Sequence, residues 1–194
     1  EPRIALALPP SLEGSAVRAD DTAFVRLEPL ENRGLRVELR VRPLPGTVSI
    51  IAGEGPDTVH AFAGGERRHA RRDRQAELRA AETLRARLPL STARVEGPLR
   101  FVVEPLEAAL DVVHTLAELG DVRVEWPEGQ TGMRVDREVR RADLHVRVGS
   151  LDRWLGIDGE AKVDENAIPL ARLLDVARRG GRYVEVSKGR FARI

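Results

Sequence analysis

Five arginines crowd the stretch RRHARRDR, residues 67–74: Arg67, Arg68, Arg71, Arg72 and Arg74. A guanidinium fork grips phosphate oxygens two at a time, and the run leads into a helical pattern whose first amides also favour an anion. Nucleic-acid contact is the chemistry these residues point to. The bland alternative is a solvated hairpin end whose charges pair with Glu66, Asp73 and Glu77. No aromatic residue is interleaved within the run, as a platform for single-strand stacking would want. Between residues 66 and 94 nine arginines stand against four acids, so the rest of this nearly neutral chain, net +1, is acidic. Only Lys162 and Lys188 are lysines. So strong an arginine bias reads first as GC-rich coding and only then as phosphate recognition.

Other chemistry is scarce. The 194 residues contain no cysteine, which excludes disulfides, thiolate metal sites and thiol nucleophiles. There is no Gly-x-x-x-x-Gly-Lys-Ser/Thr loop to cradle phosphates; Lys188-Gly189 has the order reversed. AGEGP (52–56) reads as a turn rather than a nucleotide loop. No Gly-x-Ser-x-Gly elbow occurs. His60, His69, His114 and His145 lack the i, i+4 spacing that puts two imidazoles on one helix face, so all four read as surface or edge histidines. DGEAKVDEN (158–166) is the densest acidic stretch, but its glycine comes second and its oxygens miss a calcium register. An Asp158-Gly159 turn between two strands fits it better. No catalytic residue, cofactor or metal ligand is expected, and the chain by itself is not expected to be an enzyme.

The elements that must position the arginine run are legible as patterns. Residues 3–9 read as a strand. In 35–46 the apolar residues Leu35, Val37, Leu39 and Val41 alternate with Arg36, Glu38, Arg40 and Arg42, the signature of a half-buried strand. Residues 59–72 form a hairpin around Gly64-Gly65. Residues 73–89 form a helix, with Asp73 as N-cap and Ala81, Leu84 and Leu88 as its stripe. A strand at 99–103 precedes a helix over 104–120, opened by Pro105 and closed by Gly120. Strands follow at 121–127 and 142–150, the latter with Leu144, Val146 and Val148 facing inward. A last helix covers 169–181, with Leu170, Leu173, Leu174 and Ala177 on one face. Arg178 and Arg179 in its final turn complement the helix dipole. The chain finishes in a hairpin turned at Lys188-Gly189.

These elements predict an α+β fold of mostly antiparallel strands and hairpins with about three helices. Two parts are expected: a strand-rich one with a single helix over 1–92, and an α+β one over 98–194 ending in the hairpin. Hydrophobic and charged contents of 42% and 32% suit a globular domain. No apolar run approaches the ~20 residues of a membrane span. No basic-then-apolar leader opens the chain, and a cytoplasmic location is expected.

Residues 151–194 carry a resemblance. Asp152 and Trp154, Gly159, Leu170 with Leu173 and Leu174, then Arg182, Tyr183, Val184 and Gly189 are similar to the region upstream of the motor in bacterial Swi/Snf-type helicase-like ATPases. Residues 101–129 and 35–46 also resemble it, through a Leu-rich helix, a Val-x-Trp-Pro strand and the alternating strand. The chain departs from that pattern at Ser187-Lys188-Gly189, where Asp-Gly is more usual, and at Phe191 in place of Trp. The resemblance implies a non-catalytic accessory module, with the motor domain of the same polypeptide, double-stranded DNA and a further protein as candidate partners. It also implies that the tail is a trimmed connection to a motor, and Trp154 is expected to anchor the core beneath it. The rival expectation is a free-standing nucleic-acid-binding domain centred on Arg67–Arg74; an enzyme of unfamiliar type comes third.

Overall fold

A computed structural model describes residues 14–31, 33–63, 65–130, 132–151 and 154–194. The strand expected at 3–9 and Asp152 lie outside these residues, as does the side chain of Trp154. In chain order the strands are β1 (Ser15–Ala16), β2 (Ala23–Pro29), β3 (Leu35–Val41), β4 (Ile50–Ile51), β5 (Thr58–Ala63) and β6 (Glu66–Arg71). Helix α1 (Arg74–Arg85) precedes β7 (Arg94–Gly97) and β8 (Arg100–Val103). Helix α2 (Leu106–Leu119) is followed by β9 (Val124–Glu125), β10 (Arg134–Val135), β11 (Leu144–Leu151), β12 (Trp154–Val163) and β13 (Asn166–Pro169). Helix α3 (Leu170–Arg178) leads into β14 (Tyr183–Ser187) and β15 (Arg190–Arg193). The protein is α+β, and most of its strand pairs are antiparallel.

The main sheet runs β7-β8-β3-β2-β9, with β4 also paired to β3. Its centre is the alternating strand: Leu35, Val37, Leu39 and Val41 are each fully buried, and the charged residues between them face outward. Helices α1 and α2 cover the apolar face. Asp73 caps α1 by accepting a hydrogen bond from the Ala76 amide at 2.9 Å, and Ala81, Leu84 and the following Leu88 are buried. The helix stops at Arg85 and the expected last turn is looser. Helix α2 buries Ala109, Leu110, Val112, Val113 and Leu116, each worth up to about 1.5–3 kcal/mol for the larger side chains.

The expected boundary near 91–98 does not divide the core. Strands β8 and β9 join β3 and β2 in one sheet, and one apolar cluster runs from Val25 to Phe191. A second, smaller cluster gathers Ala161, Val163, Ile168, Leu173, Val184 and Ala192. The terminal hairpin lies between the two: Tyr183 and Phe191 face the first, Val184 and Ala192 the second. The Tyr183 hydroxyl donates to Asp111 on α2 at 2.7 Å. Burial first, and then that carboxylate, push the phenol well above its usual range.

Four local expectations need correction. In β11 the period-two pattern does form a strand, but Leu144, Val146 and Val148 do not face inward; they are 36%, 49% and 67% exposed, and Ile157 across the hairpin is 66% exposed. Gly159 is no turn. It sits inside β12 opposite Val146, where a Cβ would lie 2.3 Å from the His145 carbonyl oxygen, so the glycine permits close strand approach. The chain turns instead after Val163, with Asp164 at φ 53°. Of the α3 stripe, Leu173 is buried while Leu174 is 53% exposed. The expected strand at 121–127 is paired only over Val124–Glu125, parallel to β2.

Candidate nucleic-acid interface

The arginine run lies on β6 and the start of α1, in a small sheet ordered β1-β6-β5. Alternation along β6 divides it. Arg67 and Arg71 share one face with His69, whereas Arg68 points to the other with Glu66 and the buried Ala70. Arg68 stands 3.8 Å from Glu66. Arg72 falls just past the strand and turns into the protein. Its guanidinium, wholly buried, makes two hydrogen bonds to Glu77 at 2.8 and 2.6 Å and two to the carbonyls of Glu54 and Pro56 at 2.7 Å. Glu77 also accepts from the Gly53 amide at 3.0 Å. This buried ion pair fastens the 52–57 turn to the first turns of α1, and Arg72 is a structural residue. Arg74 bridges from α1 to the Gly53 carbonyl and to Asp57, at 2.9 and 3.0 Å. The five arginines therefore make no single surface.

What the run lacked in sequence, the register supplies from the neighbouring strand. In the β5–β6 hairpin, Phe62 lies opposite Arg67, His60 opposite His69 and Thr58 opposite Arg71. Residues directly opposite in an antiparallel pair share a face. One face thus displays Arg67, Arg71, Phe62, His60 and His69. Phe62 is 76% exposed. The His60 and His69 rings stand 5.9 Å apart, tilted by 36°. Strand β1 adds only the small Ala16 beside His69. Just before it, Gly14 at φ 70° lies against β6, where a Cβ would come within 2.5 Å of the Arg67 carbonyl oxygen. None of the described residues on this face is acidic, and Arg71 has no carboxylate partner among them.

These side chains can do two things. Guanidinium groups on the face can bind phosphate oxygens, and an uncovered ring beside them can stack on a planar group. Two imidazoles do not complete a zinc site, and no cluster of three or more His, Cys, Asp or Glu side chains occurs among the described residues. His114, on α2, lies 3.4 Å from both Arg193 and Glu118; His145 is exposed on β11. The aromatic half of this surface escapes a linear reading because it lies on the strand before the hairpin's turn. Counting outward from that turn pairs residue 62 with 67 and 60 with 69.

The outer face of the main sheet is also rich in arginine, but differently built. Arg36 meets Glu28 at 2.8 Å and Glu96 at 3.3 Å; Arg40 meets Glu38 at 2.5 Å; Arg42 meets Glu125 at 3.1 Å; Arg100 meets Glu54 at 2.6 Å. There Phe24 is 3% exposed beneath the guanidinium groups of Arg42 and Arg123, at 5.8 and 5.2 Å from its ring centre. No protein family, curated protein or solved structure matches this chain.

Proposed function

We propose that this chain is a non-catalytic nucleic-acid-binding module whose contact surface is the open face of β5 and β6. The observation that carries the reading is the company Phe62 keeps. A 76%-exposed aromatic ring lies opposite Arg67, on a face that also holds His60, His69 and Arg71 and no described acid. An isolated exposed ring needs no explanation; one set beside arginines on a face with no acid among its described residues has the composition of a nucleic-acid surface. The test is a salt titration of oligonucleotide binding. The wild-type chain should bind at low salt and weaken linearly on a log–log plot. Replacing Arg67 and Arg71 together by Gln should lower the slope by roughly 2, about one per lost phosphate contact, with the melting temperature unchanged. Binding that ignores salt, or that survives the double substitution intact, rejects the reading.

A second reading follows the resemblance: an accessory module of a bacterial Swi/Snf-type DNA-dependent ATPase, in the cytoplasm, docking on the motor of the same polypeptide. It is favoured by the uncovered apolar strip of Leu144, Val146, Val148 and Ile157, which is the kind of surface a partner covers. The two readings are compatible, since a module can hold nucleic acid on one sheet and a motor on another. If the strip docks a motor, Val148→Glu should weaken association with that motor and leave oligonucleotide binding untouched.

A further inference from the structure

We infer that the β5–β6 face takes unpaired nucleotides, with a base stacked on Phe62, the next over the His60–His69 pair, and the flanking phosphates on Arg67 and Arg71. This rests on the nucleic-acid reading above and narrows it to single strands. Three observations carry it. The Phe62 ring is presented to solvent rather than wedged into the sheet. A duplex buries its base faces within its own stack, so an uncovered ring finds a partner only where bases are splayed out. The spacing also fits: Phe62 and His60 are two residues apart on one strand, so the stacking positions repeat at about 6.6–6.8 Å. That is about twice the 3.4 Å rise per nucleotide of duplex DNA, and it suits a stretched, unstacked strand.

The charges are arranged to match. Arg67 lies across from Phe62 at one end of the face, and Arg71 lies across from Thr58 at the other. Two cations thus flank the aromatic row along the direction a backbone would follow. The carboxylates of Asp57 and Asp73 lie at the Arg71 end, beside Arg72 and Arg74, so the strand should leave the face there. Ala16 on β1, next to His69, leaves the edge of the platform low.

The experiment measures fluorescence anisotropy of a labelled 12-nucleotide DNA strand, an RNA strand of the same sequence, and the corresponding DNA duplex, with wild-type chain and with Phe62→Ala and Phe62→Trp. Because Phe62 is exposed, neither substitution should change the melting temperature. Loss of one stacked base should weaken single-strand binding by roughly 5- to 150-fold in Phe62→Ala, and Phe62→Trp should restore it. Duplex binding should be weaker than single-strand binding and insensitive to Phe62. Tighter binding to either DNA or RNA single strands supports the inference. Duplex bound as well as or better than single strands, with Phe62→Ala neutral, overturns it while leaving the nucleic-acid reading intact. No binding to any of the three at low salt overturns both.

Discussion

Two faces of this protein carry arginine beside phenylalanine, and they have opposite designs. On the outer face of the main sheet every one of Arg36, Arg40, Arg42 and Arg100 meets a carboxylate, and Phe24 lies covered beneath two guanidinium groups. On the β5–β6 face the cross-strand neighbours of Arg67, His69 and Arg71 are Phe62, His60 and Thr58, and the Phe62 ring is bare. The first surface has internal partners for its charge and presents little to an external anion. On the second, no described acid stands across the strands from an arginine. Arginine density alone therefore says little about ligands in so arginine-rich a chain; what stands opposite each arginine says more.

The largest test of this contrast separates two neighbours in sequence. Arg72→Ala leaves Glu77 buried without its partner and should cost about 3–5 kcal/mol, read as a fall in the urea midpoint. Arg71→Ala should leave stability within about 0.5 kcal/mol and weaken oligonucleotide binding instead. Equal melting of the two variants would erase the division between structural and surface arginines. A smaller effect is expected on the outer face: Arg36→Gln and Arg40→Gln should each cost about 0–1 kcal/mol and leave oligonucleotide affinity unchanged. If they reduce affinity as much as changes at Arg67 and Arg71, total charge and not arrangement governs binding.

The smallest effect concerns an exposed pair. Asp143 accepts from Arg137 at 2.6 and 2.9 Å and from the Arg140 amide at 2.7 Å, and these bonds hold its carboxyl down at about 2. Because the folded value lies below the ordinary 3.8, the contribution is present above that pH and lost as the pH falls through about 2. Asp143→Asn should remove that acid dependence and leave the melting temperature at neutral pH nearly unchanged. NMR titration of the carboxyl reads it directly; a midpoint near 3.8 would mean that the pair does not form in solution.

How far the sequence led depended on whether an element's partner lay within its own pattern. Strand β3 was legible because its alternation is answered by a buried face, and α2 because Pro105 and Gly120 bracket a continuous stripe. Strand β11 shows the same alternation, yet its apolar residues are exposed: period two specifies a strand, not what covers it. Gly159 is ambiguous in sequence because a glycine serves tight turns and close strand approach alike. The arginine run was visible in sequence, but its division was not. Burial of Arg72 depends on Glu77 and on a turn some twenty residues earlier, and Phe62 joins the surface only through register. The boundary at 91–98 followed a real change of pattern, but sheet pairing between β3 and β8 crosses it.

The terminal hairpin forms a wall shared by both apolar clusters, and that has a bearing on the order in which the molecule can be completed during synthesis. Tyr183 and Phe191 fill one side, Val184 and Ala192 the other. The larger core begins with Val25 and is completed by Tyr183 and Phe191, made more than 150 positions later. Until that last stretch clears the ribosome tunnel, α2 has no Tyr183 hydroxyl to meet Asp111, and Leu173 on α3 can pack only against Ala161, Val163 and Ile168. The nascent hairpin sheet of β5 and β6 can form early from local contacts, while each hydrophobic interior keeps one wall incomplete until the hairpin strands arrive.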